Sequence, residues 1–253
     1  MKIRTTLFLA VAGMLLLTSG CKSTIWTIKS SRSGHIAIDS TTNALADKQY
    51  EAYIAPYRHK MDKEMNQIIG RTDLTLSAYP PESPLSNWNA DVYRKAASVY
   101  LKQPIDIGIV NLGGLRTTIP EGNITVRNIF ELMPFENELV ILWLKGDKLN
   151  ELLQFFALKG GEGESGIRMR ITPEKKAVDI TVNGSPLDTD KTYSIATSNF
   201  VAGGNDGMVA IAHYEKRIDT GIKIRNMLMD FVKQETAAGR PIHVELDGRI
   251  SKD

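Results

Sequence analysis

Cysteine is almost absent: Cys21 is the only one in 253 residues, which excludes an internal disulfide framework and a cysteine-rich metal site. Histidine is scarce as well. The four, His35, His59, His213 and His243, stand in no metal-ligand spacing, so the chain carries no visible ligand set for a self-contained, metal-assisted phosphoesterase. Neither charge sign is in excess, with 31 Lys and Arg against 29 Asp and Glu. That balance argues against a nucleic-acid polymer as partner and against an acidic tail. Recognition of phosphate must therefore be local. There is no internal repeat and no low-complexity run, which sets aside solenoids and compositionally biased segments.

The one strongly apolar run, 7–17, follows Lys2 and Arg4 and is too short to span a bilayer comfortably. Residues 1–20 read as a signal peptide and are excluded from fold reasoning. Thr18-Ser19-Gly20-Cys21 puts small residues just before the cysteine. This resembles a bacterial lipoprotein signal, with Thr18 where Leu or Val is usual. The expectation is cleavage before Cys21, lipidation of its thiol and new amino terminus, and anchoring to a bacterial membrane on the periplasmic face or cell surface. An ordinary secretory peptide with an incidental cysteine is the plainer alternative. Residues 21–34, rich in Ser, Lys and Thr, suit a tether.

Beyond the signal segment the chain is long enough for one substantial core or two small ones. Apolar residues at Ile54, Tyr57, Met61 and Met65 predict a helix over 44–69, broken or bent near Pro56. A turn follows at Tyr79-Pro80-Pro81-Glu82, then a second helix over 86–100. The run 105–110 predicts a buried strand delivering Gly113-Gly114. Thr125 is placed to cap a short helix through Leu132, and 138–145 predicts a second apolar strand. A helix starting at Gly146-Asp147 carries Leu149, Leu152, Leu153 and Phe156 on one face and stops at Gly160-Gly161. Strands are predicted over 167–171 and at Val178, Ile180 and Val182, with Asn183-Gly184 as a hairpin turn. Another strand is expected over 193–197. A last helix over 220–234 turns Ile224, Met227, Leu228 and Phe231 inward, and a closing strand is expected over 243–246.

Three short stretches carry chemistry. In Asn111-Leu112-Gly113-Gly114-Leu115-Arg116 the glycines let a ligand approach the backbone, and the arginine suits bidentate pairing with phosphate oxygens. Alone, the hexapeptide is better read as a tight strand exit with a solvated arginine. Phe135, between Pro134 and Glu136, and Phe200, just past a strand, both fall in loops. A loop aromatic ordinarily packs on the core, whereas two facing rings clamp a flat base. Asn137 offers a donor and an acceptor to a base edge, and Asp206 an acceptor to ribose hydroxyls. Gly203, Gly204 and Gly207 are expected to let the backbone around Asp206 take positive φ.

Together with Glu82-Ser83-Pro84-Leu85-Ser86-Asn87-Trp88-Asn89-Ala90-Asp91 and Gly248-Arg249-Ile250, these motifs, in this order, resemble the C-terminal, substrate-binding domain of the 5′-nucleotidase family (the nucleotidase and UDP-sugar hydrolase group). The resemblance covers most of the chain beyond the signal segment. It implies an α+β fold over 35–253, a single domain with a mixed sheet and flanking helices. It also implies that Arg116 binds substrate phosphate beside Gly113 and Gly114, that Phe135 and Phe200 sandwich the base, and that Asn137 and Asp206 contact base and ribose. There are departures. Leu112 stands where a small residue is usual before the glycine pair, and Asn205 replaces the glycine before Asp206, so these side chains are expected to narrow the pocket or alter the loop. Upstream arginines of some family members have no clear match, Arg71 being a distant candidate.

In the family a metallophosphoesterase domain supplies the two-metal centre, and nothing before His35 could replace it. The expectation is therefore a nucleotide-binding subunit without a cofactor of its own, serving a separate metallophosphoesterase chain that holds the divalent metals. Metal-activated water would attack phosphorus there, with Arg116 offsetting charge on the phosphoryl oxygens. Two alternatives stay open: a membrane-anchored nucleotide or nucleoside binding module without hydrolysis, and a scaffold whose pocket no longer binds.

Overall fold

The computed structural model describes residues 26–39, 41–42 and 46–253. The signal segment, Cys21 and Ala44 lie outside the described residues. Those described fall into two units, one ending at Tyr53 and one running from Ile54 to Asp253. In the first, residues 26–39 are exposed and without regular hydrogen bonding. Among the described residues no helix is long and apolar enough to cross a membrane.

In chain order the elements are α1 (Lys48–Met65), β1 (Ile68–Thr72), α2 (Pro84–Leu101), β2 (Ile107–Val110), β3 (Gly122–Thr125), α3 (Val126–Leu132), β4 (Glu138–Lys145) and α4 (Gly146–Lys159). They continue with β5 (Gly163–Ser165), β6 (Ile167–Ile171), β7 (Ala177–Val182), β8 (Ser185–Pro186), β9 (Thr192–Ser198), α5 (Asn199–Ala202), β10 (Lys216–Lys223), α6 (Ile224–Ala237) and β11 (Ile250–Lys252). This is an α+β architecture. A five-stranded sheet in the order β10-β4-β9-β2-β5 lies at its centre, with a four-stranded sheet β11-β6-β7-β8 and the pair β1-β3 beside it. The central sheet is mixed: β2 and β9 run parallel, and the other pairs are antiparallel.

Both faces of the central sheet are covered, which is why its inner strands read as unbroken apolar runs. In β4, Leu139 and Ile141 point into a core shared with α2, α3 and α6, through Tyr93, Ile129, Leu132, Met227 and Leu228. Val140, Leu142 and Leu144 point the other way, onto Leu149, Leu152, Leu153 and Phe156 of α4 and onto the second sheet. Helix α3 begins with a reciprocal capping box between Thr125 and Asn128. Helix α4 stops at Gly160, which takes the left-handed conformation at φ 93°.

Three expectations are corrected. Helix α1 runs through Pro56 and ends at Met65, with none of its residues buried. Its apolar stripe faces water, and Ile68 and Ile69, β-branched and followed by Gly70, pair as a strand instead. Thr220 belongs to β10, a half-exposed edge strand whose polar sequence hides it, and α6 starts at Ile224. No strand forms over 243–246. That segment is held by side chains: Glu82 Oε1 accepts from the Asp247 N–H at 3.0 Å, and Asn87 Nδ2 donates to the Glu245 carbonyl at 3.4 Å.

Candidate functional site

Strand direction brings the three sequence motifs to one edge. Because β2 and β9 are parallel neighbours, their carboxyl ends, which lead into Asn111 and Asn199, lie side by side. Strand β4 is antiparallel to β9 with Leu139 opposite Ser198, so the loop entering β4, Pro134 to Asn137, arrives at the same edge. A cleft of about 160 Å³ opens there, lined by Tyr93, Asn111, Gly113, Gly114, Arg116, Met133, Phe135, Asn137, Ser198, Phe200 and Asp206. A cavity of about 150 Å³ holds a benzene ring, so the space suits one planar ring, with larger groups reaching outward. All seven residues singled out in the sequence line it.

Phe135 and Phe200 are 37% and 39% exposed, unlike the fully buried Phe156. The segment that carries each is tied down by hydrogen bonds to its backbone. Asn205 Nδ2 donates to the Phe200 carbonyl at 2.7 Å, and Ser198 Oγ caps the turn by accepting from the Val201 N–H at 3.1 Å. On the other wall, the Ile224 N–H donates to the Asn137 carbonyl at 3.0 Å, and Lys223 Nζ to the Glu136 carbonyl at 3.2 Å. Arg225 lies over the Phe130 ring at 4.1 Å and ion-pairs with Glu136. Its hydrogen bond and charge hold the Glu136 carboxyl below the usual range.

Between the walls, Asn111 Nδ2 donates to Asp206 Oδ2 at 2.6 Å, and no hydrogen bond to the other carboxylate oxygen is formed among the described residues. Asp206 sits at φ 56°, a conformation that Asp tolerates better than most side chains and that clusters at functional sites. Gly204 and Gly207 share positive φ, whereas Gly203 does not, at −78°. A Cβ on Gly114 would stand 2.8 Å from Asn111 Oδ1, so the turn at Leu112–Gly114 needs glycine there to seat the Asn111 amide. Among the described residues the Asn137 amide makes no hydrogen bond and Arg116 has no ion-pair partner. Arg116 Nη1 donates only to the Gly113 carbonyl, at 3.2 Å.

Leu112 and Asn205, expected to narrow the pocket, do not line it. Leu112 presents its backbone, and the Asn205 side chain turns back onto Phe200. Sequence reasoning passed over Tyr93, Met133 and Ser198, which reach the cleft from α2, α3 and β9, and gave Asn111 no role. A polar residue closing the apolar run of β2 was the available signal for Asn111. The cleft offers one carboxylate, Asp206, already engaged by an amide. That donor set does not fit a two-metal centre. Among the described residues no three His, Cys, Asp or Glu side chains gather as a metal site.

A larger groove of about 460 Å³ beside Trp88 is lined by charges that satisfy one another. Arg249 pairs with Asp91 and Asp247, Arg240 with Glu235, and His243 Nδ1 with Asp73. The smaller cleft is the better candidate because its arginine, Arg116, has no ion-pair partner among the described residues and its Asp206 carboxylate is engaged through one oxygen.

Beneath the cleft, Glu162 and Glu164 are buried. Both carboxyl oxygens of Glu164 lack a partner, and burial, then the neighbouring Glu162, pushes its pKa well above 4.5. A carboxyl raised in this way binds more protons folded than unfolded, so stability falls as pH climbs from the unfolded value toward the folded one. The melting temperature of Glu164→Gln relative to wild type should therefore rise steadily between pH 5 and pH 8. A difference independent of pH would show that the folded protein holds the Glu164 proton no more tightly than the unfolded chain.

The fold and cleft define an α+β binding domain with two aromatic walls and one unpaired arginine. The family description "5′-nucleotidase, C-terminal domain" matches residues 64–213. Protein UshA of Salmonella pullorum is 30% identical over 187 residues, 72% of this chain and 34% of that protein. The NAD 5′-nucleotidase of Haemophilus influenzae is 28% identical over 215 residues, 74% of this chain and 34% of that protein. The crystal structure of a 5′-nucleotidase precursor from Thermus thermophilus superposes with a TM-score of 0.70 at 26% identity, over 80% of this chain and 42% of that one. This chain belongs to the 5′-nucleotidase C-terminal domain family. It spans less than half the length of each of these relatives.

Proposed function

We propose that this chain is the nucleotide-binding part of a 5′-nucleotidase, presenting base, ribose and phosphate to a separate metallophosphoesterase chain that holds the divalent metals and hydrolyses the phosphate ester. One observation carries the reading: two half-exposed phenylalanines, an unengaged amide, a half-engaged carboxylate and an unpaired arginine converge on one cleft of about 160 Å³. The base stacks between Phe135 and Phe200 with its edge on Asn137. The ribose hydroxyls bond to the free oxygen of Asp206, and phosphate reaches out over Gly113 and Gly114 to Arg116. In the same proposal residues 1–20 are removed, lipidated Cys21 anchors the exported chain to a bacterial membrane, 21–34 form the tether and 35–253 the binding domain.

Arg116→Ala separates phosphate recognition from base recognition. Hydrogen bonds to a charged group contribute about 1.5–3 kcal/mol, so AMP affinity should fall roughly 10-fold or more, to that of adenosine, while adenosine affinity and melting temperature stay at wild-type values. Calorimetric titration of both ligands checks this. Equal losses for the two would remove Arg116 from the phosphate site. Turnover of AMP should require the partner chain, and robust hydrolysis by the purified chain alone would contradict the divided enzyme.

A further inference from the structure

We infer that Glu162 is a positioning residue of the Phe135–Phe200 cleft: its buried carboxylate takes the Leu112 N–H and so holds the turn that seats Asn111, Gly113 and Gly114 against Asp206. The effect on ligand affinity rests on the nucleotide reading of the cleft. The contact rests on geometry alone.

Strands β2 and β5 pair antiparallel with Val110 opposite Gly163, so the next step along each chain sets Asn111 against Glu162. The backbone ladder cannot continue there because the chain after β2 coils into the turn Leu112–Gly114. Within that turn the Gly114 N–H donates to the Asn111 carbonyl and the Leu115 N–H to the Leu112 carbonyl, each at 3.0 Å. The Leu112 N–H, at the head of the turn, has no carbonyl within it to reach. Glu162 supplies the acceptor: Oε2 takes that N–H at 2.7 Å, while the other oxygen ion-pairs with Lys159 from the last turn of α4. A side chain thus extends the strand pairing by one bond beyond the point where the backbone leaves it.

The anchor is itself fixed on both sides. Gly161 lies at φ 127°, and a Cβ there would fall 2.7 Å from Pro81 Cα. A Cβ on Gly163 would fall 2.9 Å from the Val110 carbonyl oxygen. Close backbone packing therefore gives Glu162 little freedom to shift. The adjoining Glu164 has no hydrogen-bond partner for either oxygen, so of the two buried acids Glu162 is the one that holds the turn, with one oxygen on the Leu112 N–H and the other on Lys159. What it holds matters for the site: Asn111 is the partner of Asp206, and Gly114 packs directly beneath the Asn111 amide.

Amide exchange of the peptide spanning 111–116, read by mass spectrometry on the full chain, tests the role without any ligand. Glu162→Ala should speed exchange there about 10-fold or more, the loss expected for one charge-assisted bond, while β9 and α4 keep wild-type protection. Glu162→Gln, which retains an acceptor oxygen, should bring exchange back to within a few-fold of wild type. AMP affinity, by calorimetry, should follow the same order. If the alanine variant does not fold, Glu162→Asp replaces it, since a carboxylate one methylene shorter falls short of Leu112 and should give the same local loosening. Wild-type protection over 111–116 in Glu162→Ala or Glu162→Asp would overturn the inference. Failure of the wild-type protein to bind AMP would instead sink the nucleotide reading, with the exchange result still deciding what Glu162 does.

Discussion

Phe135→Ala and Phe200→Ala should each weaken AMP and adenosine binding about 10-fold or more, and together about 100-fold. Stacking a base on an aromatic ring contributes roughly 1–3 kcal/mol by alanine substitution, and 1.4 kcal/mol is about a factor of ten. Phe135 stands in the loop entering β4, whereas Phe200, expected in a loop, stands in the short helix α5 capped by Ser198, so their losses should add approximately if each contacts its own face of the base. Stability behaves differently. A buried phenylalanine such as Phe156 costs about 3–5 kcal/mol on truncation, whereas these two, more than a third exposed, should cost about 1–2 kcal/mol by the area they bury. Titration calorimetry and thermal melts on the same variants separate a base clamp from ordinary packing. Unchanged affinity with a large melting shift would make the rings structural.

A large stability effect should come from Gly108→Ala, in the middle of β2. A Cβ there would overlap the Ala90 carbonyl oxygen and lie 3.1 Å from both the Ala90 carbonyl carbon and Arg94 Cβ. Helix α2 rests backbone to backbone on the strand at this point, and no flexible side-chain end can move aside. Overpacking costs about 1–3 kcal/mol where side chains can give, and more where they cannot. A loss of about 3 kcal/mol or more is expected, lowering the melting temperature by roughly 10 °C in a unit of this size. Because β2 delivers Asn111 and the glycine turn, nucleotide affinity should fall with it. A variant that melts within a degree or two of wild type would show that α2 can lift off β2 freely.

Much of this fold was legible because local chemistry and tertiary packing agree. The bounds of β4 follow from its apolar run, those of α4 from its spaced leucines and Gly160, and the β7–β8 hairpin from Asn183 and Gly184, both at positive φ. What stayed hidden is what burial does not write into the sequence. Strand β10 is a polar edge, β5 is three residues long, and α1 carries an apolar stripe that no core takes up. The convergence of Phe135 and Phe200 could be anticipated from strand ends that one sheet brings to the same edge, although Phe135 precedes β4 rather than following a strand, whereas Asn137 and Asp206 are placed there by the family resemblance. Tyr93 and Met133 could not, since helix packing alone brings them to the cleft. Leu112 and Asn205 misled for a related reason: substitution at a pocket-side position says nothing of which way the side chain turns, and here one supplies its amide to Glu162 and the other a donor to Phe200.

The most direct test of the nucleotide-binding claim is a crystal structure of the chain from residue 22 onward grown with AMP. The base should lie between the Phe135 and Phe200 rings with Asn137 at its edge, ribose at Asp206 and phosphate at Arg116. A nucleotide found elsewhere, such as the arginine-lined hollow at Arg94, Arg168 and Arg249, with the space between the two rings empty, would contradict it.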